Sequence, residues 1–477
     1  MKTPLYTYLR RHAEEEPIWF HMPGHKGARL YHRFGYDAFL SDFMNCDITE
    51  ISGADNLFQA EGVLQEVQDR YSELYEVENS YLQINGTSGG LIAGILASVP
   101  KGGKLIMARN CHKSVFNALI LGDIQPVYIH PEKNEEYGIS GAIPAEEARG
   151  ALERHPDAAA VILPSPNYYG ICSDIQAIAE EVHKHDKLLI VDQAHGAHLK
   201  FFNQYGKGDM PMCAESAGAD LVVNSTHKTL ASMTQSAVLN RVTKRVDRFL
   251  LEDKLQCIQS TSPSYILMAS LDINAAILEE YGQTLIRQWE NNLNFFYKQA
   301  ETVPNLKFIS KFPGFDWSKL NISLGNIGLD GAQLEKELIE TAHIYPELFT
   351  GELVMCMTGI GTEEYDIQRL LDCLNTLANG IREQDLQEKT EHRKIPEAPP
   401  KERADSYQIP KKRCLIPLEQ AEGRICANSV IPYPPGIPFL CPGEQFHKED
   451  IAYIQSLRNL GEKVIGVTVE GEVFVGI

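Results

Sequence analysis

Asp192 closes an apolar run, LLIVD at 188–192, and Lys228 follows it by 36 residues, just after a second apolar run at 219–223. A carboxylate at the end of an apolar strand is withdrawn from water and needs a cationic or donor partner. It is either a turn or N-cap aspartate, or the partner of a ligand's ring N–H. A lysine at the mouth of a parallel sheet serves as a phosphate point charge or a Schiff-base amine, whereas a lone lysine is ordinarily just exposed. Asn85, Gly86, Thr87, Ser88, Gly89 and Gly90 follow the β-like run YLQI and open the apolar stretch LIAGILASV. Hydroxyls and glycines at a helix start, where N–H groups are free, make an anion site or simply a turn. The spacing matches neither the Walker pattern nor the dinucleotide GxGxxG. His112, in RNCHKS at 109–114, follows the run KLIMA at 104–108. Its ring either stacks on a planar ligand or is an ordinary packed histidine.

These residues need a frame, and the middle of the chain supplies one. Short apolar runs at 104–108, 126–130, 159–163, 188–192 and 219–223 alternate with helical patterns such as IQAIAEEVHKH at 175–185. Near-continuous apolar strands alternating with helices predict a parallel sheet covered on both faces, whose ligands bind at the carboxyl ends of the strands. A helical stretch from about 268 to 302 leads to strand-like runs at 306–309, 320–323 and 352–357 and helix-like patterns at 331–341 and 364–380. Residues 383–405 are charged, Pro-containing and almost devoid of apolar side chains, which reads as a linker. Apolar character returns over 411–477, with Pro432, Pro434, Pro435, Pro438 and Pro442. The division expected is an N-terminal segment 1–20, a large domain 21–285, a small domain 286–382, a linker 383–410 and a C-terminal domain 411–477.

Taken together, the polar groups form a phosphate cradle, a ring stacker, a carboxylate and an amine on successive strand ends. Pyridoxal 5′-phosphate needs that set: donors for its phosphate, an acid for its pyridine nitrogen, an amine for its aldehyde and a wall for its ring.

The chain resembles the fold type I, pyridoxal-phosphate-dependent ornithine/lysine/arginine decarboxylases in their short form. The resemblance runs through FHMPGHKG at 20–27, DITEISGADNL at 47–57, NGTSGG at 85–90, RNCHKS at 109–114 and VDQAHGAH at 191–198. It continues through STHK at 225–228, STSPSYILMASLD at 260–272 and VIPYPPGIPFLCPGE at 430–444. It implies a mainly parallel seven-stranded sheet, a small α/β domain and a C-terminal decarboxylase domain. It makes Lys228 the Schiff-base lysine, Asp192 the partner of the pyridine N–H and His112 the stacking ring. Thr87 and Ser88 would bind the phosphate from one side, Ser225 and His227 would flank it or the amine, and His195 would border the ring. A hydroxyl of Thr261 or Ser262 would reach the partner subunit's phosphate. The assembly implied is a homodimer with the site at its interface, alone or within a higher oligomer. Gln193 stands where the family usually carries glutamate, which removes a charge beside the site. The chain starts about twenty residues before HMPGHK, so the N-terminal wing of the long forms, and decamers built through it, are not expected.

The activity implied is α-decarboxylation of a basic L-amino acid, with Lys228 or His227 returning a proton to Cα. Arginine, giving agmatine for polyamine synthesis, ranks before lysine and ornithine by analogy. The substrate's distal cation calls for a carboxylate, and Glu444, Glu347, Asp47 and Asp55 are the candidates. An aminotransferase or β-eliminating lyase would use the same cofactor residues, but transaminases call for an arginine at the α-carboxylate and none lies in 308–366. A non-catalytic member of the fold is the other class left open. His195 and His198 form HxxH without a third ligand at suitable spacing, so no metal is expected. His183 and His185 fall on a polar helix face and read as solvated. Ser225, His227 and Asp192 lack the GxSxG elbow of a hydrolase.

Composition agrees with this class. Lys and Arg number 44 against 64 Asp and Glu, a net charge of −20, which argues against a nucleic-acid partner. No apolar run approaches the ~18 residues of a membrane span, and MKTPLYTYLRRHAEEEP has no secretory h-region. The ten cysteines form no CxxC pair and read as reduced thiols of a cytoplasmic protein.

Overall fold

The computed structural model describes residues 3–134, 136–380, 399, 409–433, 438–459, 461 and 463–477. The central sheet is built from β1 (Asn79–Gln83), β2 (Lys104–Ala108), β3 (Gln125–Ile129), β4 (Ala158–Pro164), β5 (Leu188–Asp192), β6 (Leu221–Asn224) and β7 (Ala237–Arg241). Their order is β1-β7-β6-β5-β4-β2-β3. β7 runs antiparallel to both neighbours and the other pairs are parallel. Six carboxyl ends therefore share one edge. The five apolar runs named above are five of these strands, and β7 is one that the hydropathy pattern does not announce.

Helices cover both faces. α1 (Gly86–Ser98) is apolar nearly all round and sinks into the core through Leu91, Ala93 and Ile95. α2 is Lys113–Gly122. α3 (Ile175–Lys184) turns Ile175, Ile178, Ala179 and Val182 inward, the spacing of one helical face. Its N-terminus is capped by Asp174, which accepts from Ala177 N–H at 3.0 Å. His183 is partly exposed on the polar face as expected, but it is also anchored, with Nε2 2.9 Å from the buried Asp220 carboxylate.

α4 (Tyr265–Ala300) is a single 36-residue helix, ~54 Å long at 1.5 Å per residue. It starts before 268 because Ser264 caps it, accepting from Leu267 N–H at 3.4 Å. It leads to an antiparallel sheet of β8 (Lys307–Phe308), β9 (Lys319–Ser323), β10 (Leu348–Thr350) and β11 (Leu353–Met357), ordered β8-β9-β11-β10. α5 (Gly331–Ala342) and α6 (Glu364–Gly380) follow the expected helical patterns, α5 opening with a capping box of Asp330 and Gln333. Trp289 on α4 donates to Thr358 Oγ1 at 2.8 Å, tying the helix to the end of β11.

The C-terminal part has its own core of Leu418, Phe446, Ile454, Val473 and Val475. β12 (Arg413–Pro417) pairs with β15 (Glu472–Gly476), and β13 (Ile431–Tyr433) with β14 (Lys463–Ile465). The linker assigned to 383–410 lies outside the described residues, apart from 399, 409 and 410. None of the ten cysteines forms a disulfide. Among the described residues no helix is long and apolar enough to cross a membrane.

Candidate active site

The carboxyl edge of the central sheet carries the chemistry. Asp192 is the last residue of β5, and its register neighbours are Pro164 on β4 and Val223 on β6. β6 runs into Ser225 and the short helical turn Thr226–Thr229 that carries Lys228. β1 runs into α1, where Gly86 at φ 65° lets the chain turn sharply into the helix. β2 leads to His112, which caps α2 by accepting from Ser114 N–H. Thr87, His112, Asp192, His195 and Lys228 line one recess of about 520 Å³ including its open mouth, together with Asn110, Pro166, Asn167 and Tyr168. Thr87 and Ser225 bring their hydroxyls within 3.2 Å of each other, with Ser88 half-buried in the same first turn. Free first-turn N–H groups and the positive end of the helix dipole suit an anion here.

The electrostatics follow from burial. Asp192 is 6% exposed, and burial pushes its carboxyl above the usual range, partly offset by the Lys228 charge. One oxygen accepts from Ala194 N–H at 3.1 Å. Desolvation lowers the Lys228 ammonium, with Asp192 and Glu347 pulling the other way. Lys228 Nζ lies 2.8 Å from His195 Nε2. Burial and the Lys228 charge keep His195 well below the ordinary imidazole range, and its Nδ1 has no hydrogen-bond partner among the described residues. His112 is held down to about 3 by the same causes, so it is a neutral ring at physiological pH. Burial lowers His227 to about 4. Its Nδ1 lies 2.7 Å from the Ser236 carbonyl and must donate to it, which leaves Nε2 as an acceptor.

Main chain holds the Lys228 turn from behind. Gly24 N–H donates to the His227 carbonyl at 2.8 Å, Ile360 N–H to the Thr229 carbonyl at 2.9 Å and Gly361 N–H to the Gly24 carbonyl at 3.0 Å. A Cβ on Gly24 would sit 2.5 Å from the Leu230 carbonyl oxygen, and one on Gly359 2.7 Å from Gly24 Cα. Three segments distant in sequence thus meet backbone to backbone, an approach only glycine allows.

Other sequence candidates do not form the wall of the recess. Thr261 and Ser262 are exposed, as is Asp47. Asp55 accepts from the main-chain N–H groups of Asn56, Glu61, Gly62, Leu64 and Gln65, so it organises its own loop. Glu444 forms a bidentate pair with Arg109, at 2.8 Å for each N···O contact. Glu347 is half-buried, accepts from Met22 N–H at 2.9 Å and is raised by desolvation. His198 faces Asp316 and not His195. The sequence reading passed over Tyr168 and Asn110. Tyr168 packs on the His195 ring with centroids 4.4 Å apart, and the buried Asn110 Oδ1 has no partner among the described residues. Both follow strand ends, β4 and β2, which was the signal for finding them.

Comparison with known proteins now bears on this geometry. Residues 3–314 match the model of the Orn/Lys/Arg decarboxylase major domain and residues 384–472 that of the C-terminal domain. The chain belongs to the Orn/Lys/Arg decarboxylase family. It is 34% identical over 474 residues to an arginine decarboxylase of Bacillus subtilis, covering 98% of this chain and 95% of that one. It is 25% identical to the lysine decarboxylase LdcA of Pseudomonas aeruginosa, covering 93% and 74%. The structure of the Escherichia coli constitutive lysine decarboxylase superposes with a TM-score of 0.73 at 21% identity, over 100% of this chain and 82% of that one. The family's members are pyridoxal-phosphate-dependent carboxy-lyases of basic amino acids, and the architecture is the fold type I expected from the sequence. The recess fits that cofactor. Asp192 is a buried carboxylate with one N–H donor of its own chain, and a second buried donor, such as a pyridinium N–H, is what keeps such a group ionised.

Proposed function

We propose that this decarboxylase acts on L-arginine, releasing agmatine and carbon dioxide for polyamine synthesis. Lysine to cadaverine, or ornithine to putrescine, is the second reading within the same chemistry. The convergence of Lys228, Asp192 and His112 on one recess carries the catalytic assignment. The arginine assignment leans on the 34% identity to the B. subtilis arginine decarboxylase, against 25% to the P. aeruginosa lysine decarboxylase.

Bound in the recess, pyridoxal 5′-phosphate supplies an electron sink for the pair left when the Cα–carboxylate bond breaks. Thr87, Ser88 and Ser225, with the α1 N-terminus, bind its phosphate. Asp192 holds the proton on the pyridine nitrogen by accepting its N–H. His112, a neutral ring, would wall the cofactor's ring from water, and His195 would border it beside Lys228. Lys228, its amine more easily deprotonated through burial, would hold the cofactor through its aldehyde carbon until the substrate's α-amine takes its place. The amine so released would carry to Cα the one proton that the reaction consumes. His227 is less suited to that delivery, because its Nδ1 proton is directed at the Ser236 carbonyl. Of the four acidic candidates for the distal cation, Glu444 is paired with Arg109 and Asp55 organises its own loop, whereas Glu347 acts electrostatically on Lys228. The working assembly is a homodimer in which Thr261 or Ser262 of one copy completes the phosphate site of the other.

The test offers L-arginine, L-lysine and L-ornithine separately to purified, cofactor-loaded protein. Carbon dioxide and amine are measured, with the cofactor's absorbance recorded alongside. Agmatine from arginine supports the reading. Cadaverine or putrescine alone reassigns the substrate, and a cofactor band with no release from any of the three overturns it.

A further inference from the structure

One buried charged cluster has no part in the chemistry above. Asp316, Ser318 and Lys319, at the start of β9, and His198, after β5, are each 0% exposed. Lys319 Nζ donates to Asp316 Oδ2 at 2.7 Å, to Ser318 Oγ at 3.1 Å and to the main-chain carbonyl of His195 at 2.9 Å. Asp316 Oδ1 accepts from Ser318 Oγ at 2.6 Å and lies 3.1 Å from His198 Nε2. An ammonium has three N–H donors, and here each has an acceptor.

Burying such a pair is costly, and apolar residues of the same volume would often hold a core as well. What this pair reaches distinguishes it. The His195 carbonyl is on Lys319, and the His195 ring is 2.8 Å from the Lys228 amine. His195 thus links the cluster to the Lys228 amine.

We infer that Lys319 is a positioning residue: by fixing the main chain at His195 it sets the imidazole against the Lys228 amine. The inference rests on the pyridoxal-phosphate reading of the recess. Lys319 also contributes its charge. Lys228 is faced by Asp192, Glu347, Lys319, His195 and His112, and His195 by Lys228, Lys319, His112 and Asp316. Lys319 adds to burial in lowering both groups, so its removal raises the Lys228 amine.

Lys319→Met alone strands the buried Asp316 carboxylate and can fail to fold. The charge-free pair Lys319→Met/Asp316→Asn is therefore made beside it. Holoenzyme of each is assayed for kcat and KM, and its cofactor absorbance is titrated with pH. The expected result is a folded double variant whose kcat falls about ten-fold or more while KM moves less than about two-fold. The midpoint of its absorbance titration moves away from the wild-type value. A folded double variant with wild-type kcat and midpoint overturns the inference. So does a double variant that cannot fold, because the cluster then serves stability alone. A wild-type preparation with no cofactor band at all would instead remove the reading beneath it.

Discussion

Replacing Glu444 by alanine separates two roles for that carboxylate. Oε1 accepts from Arg109 Nε at 2.8 Å, and Oε2 accepts from Arg109 Nη2 at 2.8 Å and from Cys441 N–H at 2.7 Å. The two side chains are only 11% and 7% exposed. In Glu444→Ala the guanidinium keeps the Pro438 and Phe439 carbonyls, at 2.6 and 2.7 Å, but no anion. Removing one partner of a buried pair costs about 3–5 kcal/mol, and the two remaining acceptors place this case near the lower figure. The loss falls on the opening of the C-terminal domain from the edge of β2. At 1.4 kcal/mol per decade, ~3 kcal/mol is a roughly 10²-fold loss of protection in native-state hydrogen exchange across that domain. The amides of β4, β5 and β6 should change little. Arg109→Met/Glu444→Leu should recover most of the protection, because exchanging both partners for apolar groups is about neutral. If Glu444 reads the substrate's side chain instead, exchange is unchanged and KM rises. That pairing of results would refute the reasoning.

Lys228→Ala should abolish both the cofactor's absorbance band and turnover, and normal turnover in that variant would sink the mechanism. Asp192→Asn keeps the shape but not the charge at the pyridine nitrogen, and should lower single-turnover decarboxylation by about 10²-fold or more; an unchanged rate would show that the charge is not needed. Burial holds His21, His25 and His227 down to about 4 and His112 to about 3. The unfolded chain takes up these protons near pH 6.5 and the folded chain does not. Stability is therefore whole above about pH 6.5 and is lost as pH falls toward 4, so the melting temperature of the apoprotein should drop over that window; a flat profile would contradict the burial. Lys228→Ala mixed with Thr261→Ala/Ser262→Ala should regain activity that neither has alone, since one hybrid site is intact. No recovery after verified subunit exchange would remove those hydroxyls from the partner's site.

What the sequence reveals depends on how each element is buried. β2 and β5 stand out because strands covered on both faces are continuous apolar runs. Asp192, His112 and Lys228 stand out because each follows such a run. β7 hides for the opposite reason. Its last two residues, Asn240 and Arg241, are polar but buried, the first bonded to Ser80 and Glu215 and the second to Asn79 and the Val246 carbonyl, so the run reads as a loop. Lys319 and Glu444 were unreadable in another sense. Their partners His195 and Arg109 lie 124 and 335 residues away, and periodicity carries no information on pairing at that range. Glu444 was legible as a carboxylate in the motif PGE, but not as one already matched to a guanidinium.

The glycine contacts behind Lys228 divide the site by what is free to drift. The turn that carries the amine is clamped by peptide groups of Gly24, Ile360 and Gly361, which every residue possesses. Changing side chains on the recess wall leaves that clamp untouched, whereas one methyl group on Gly24 or Gly359 meets backbone at 2.5–2.7 Å. Selection can therefore reshape which amino acid enters, substitution by substitution, without retuning where the nitrogen sits. A laboratory library aimed at new substrates should vary the wall freely and leave those glycines alone.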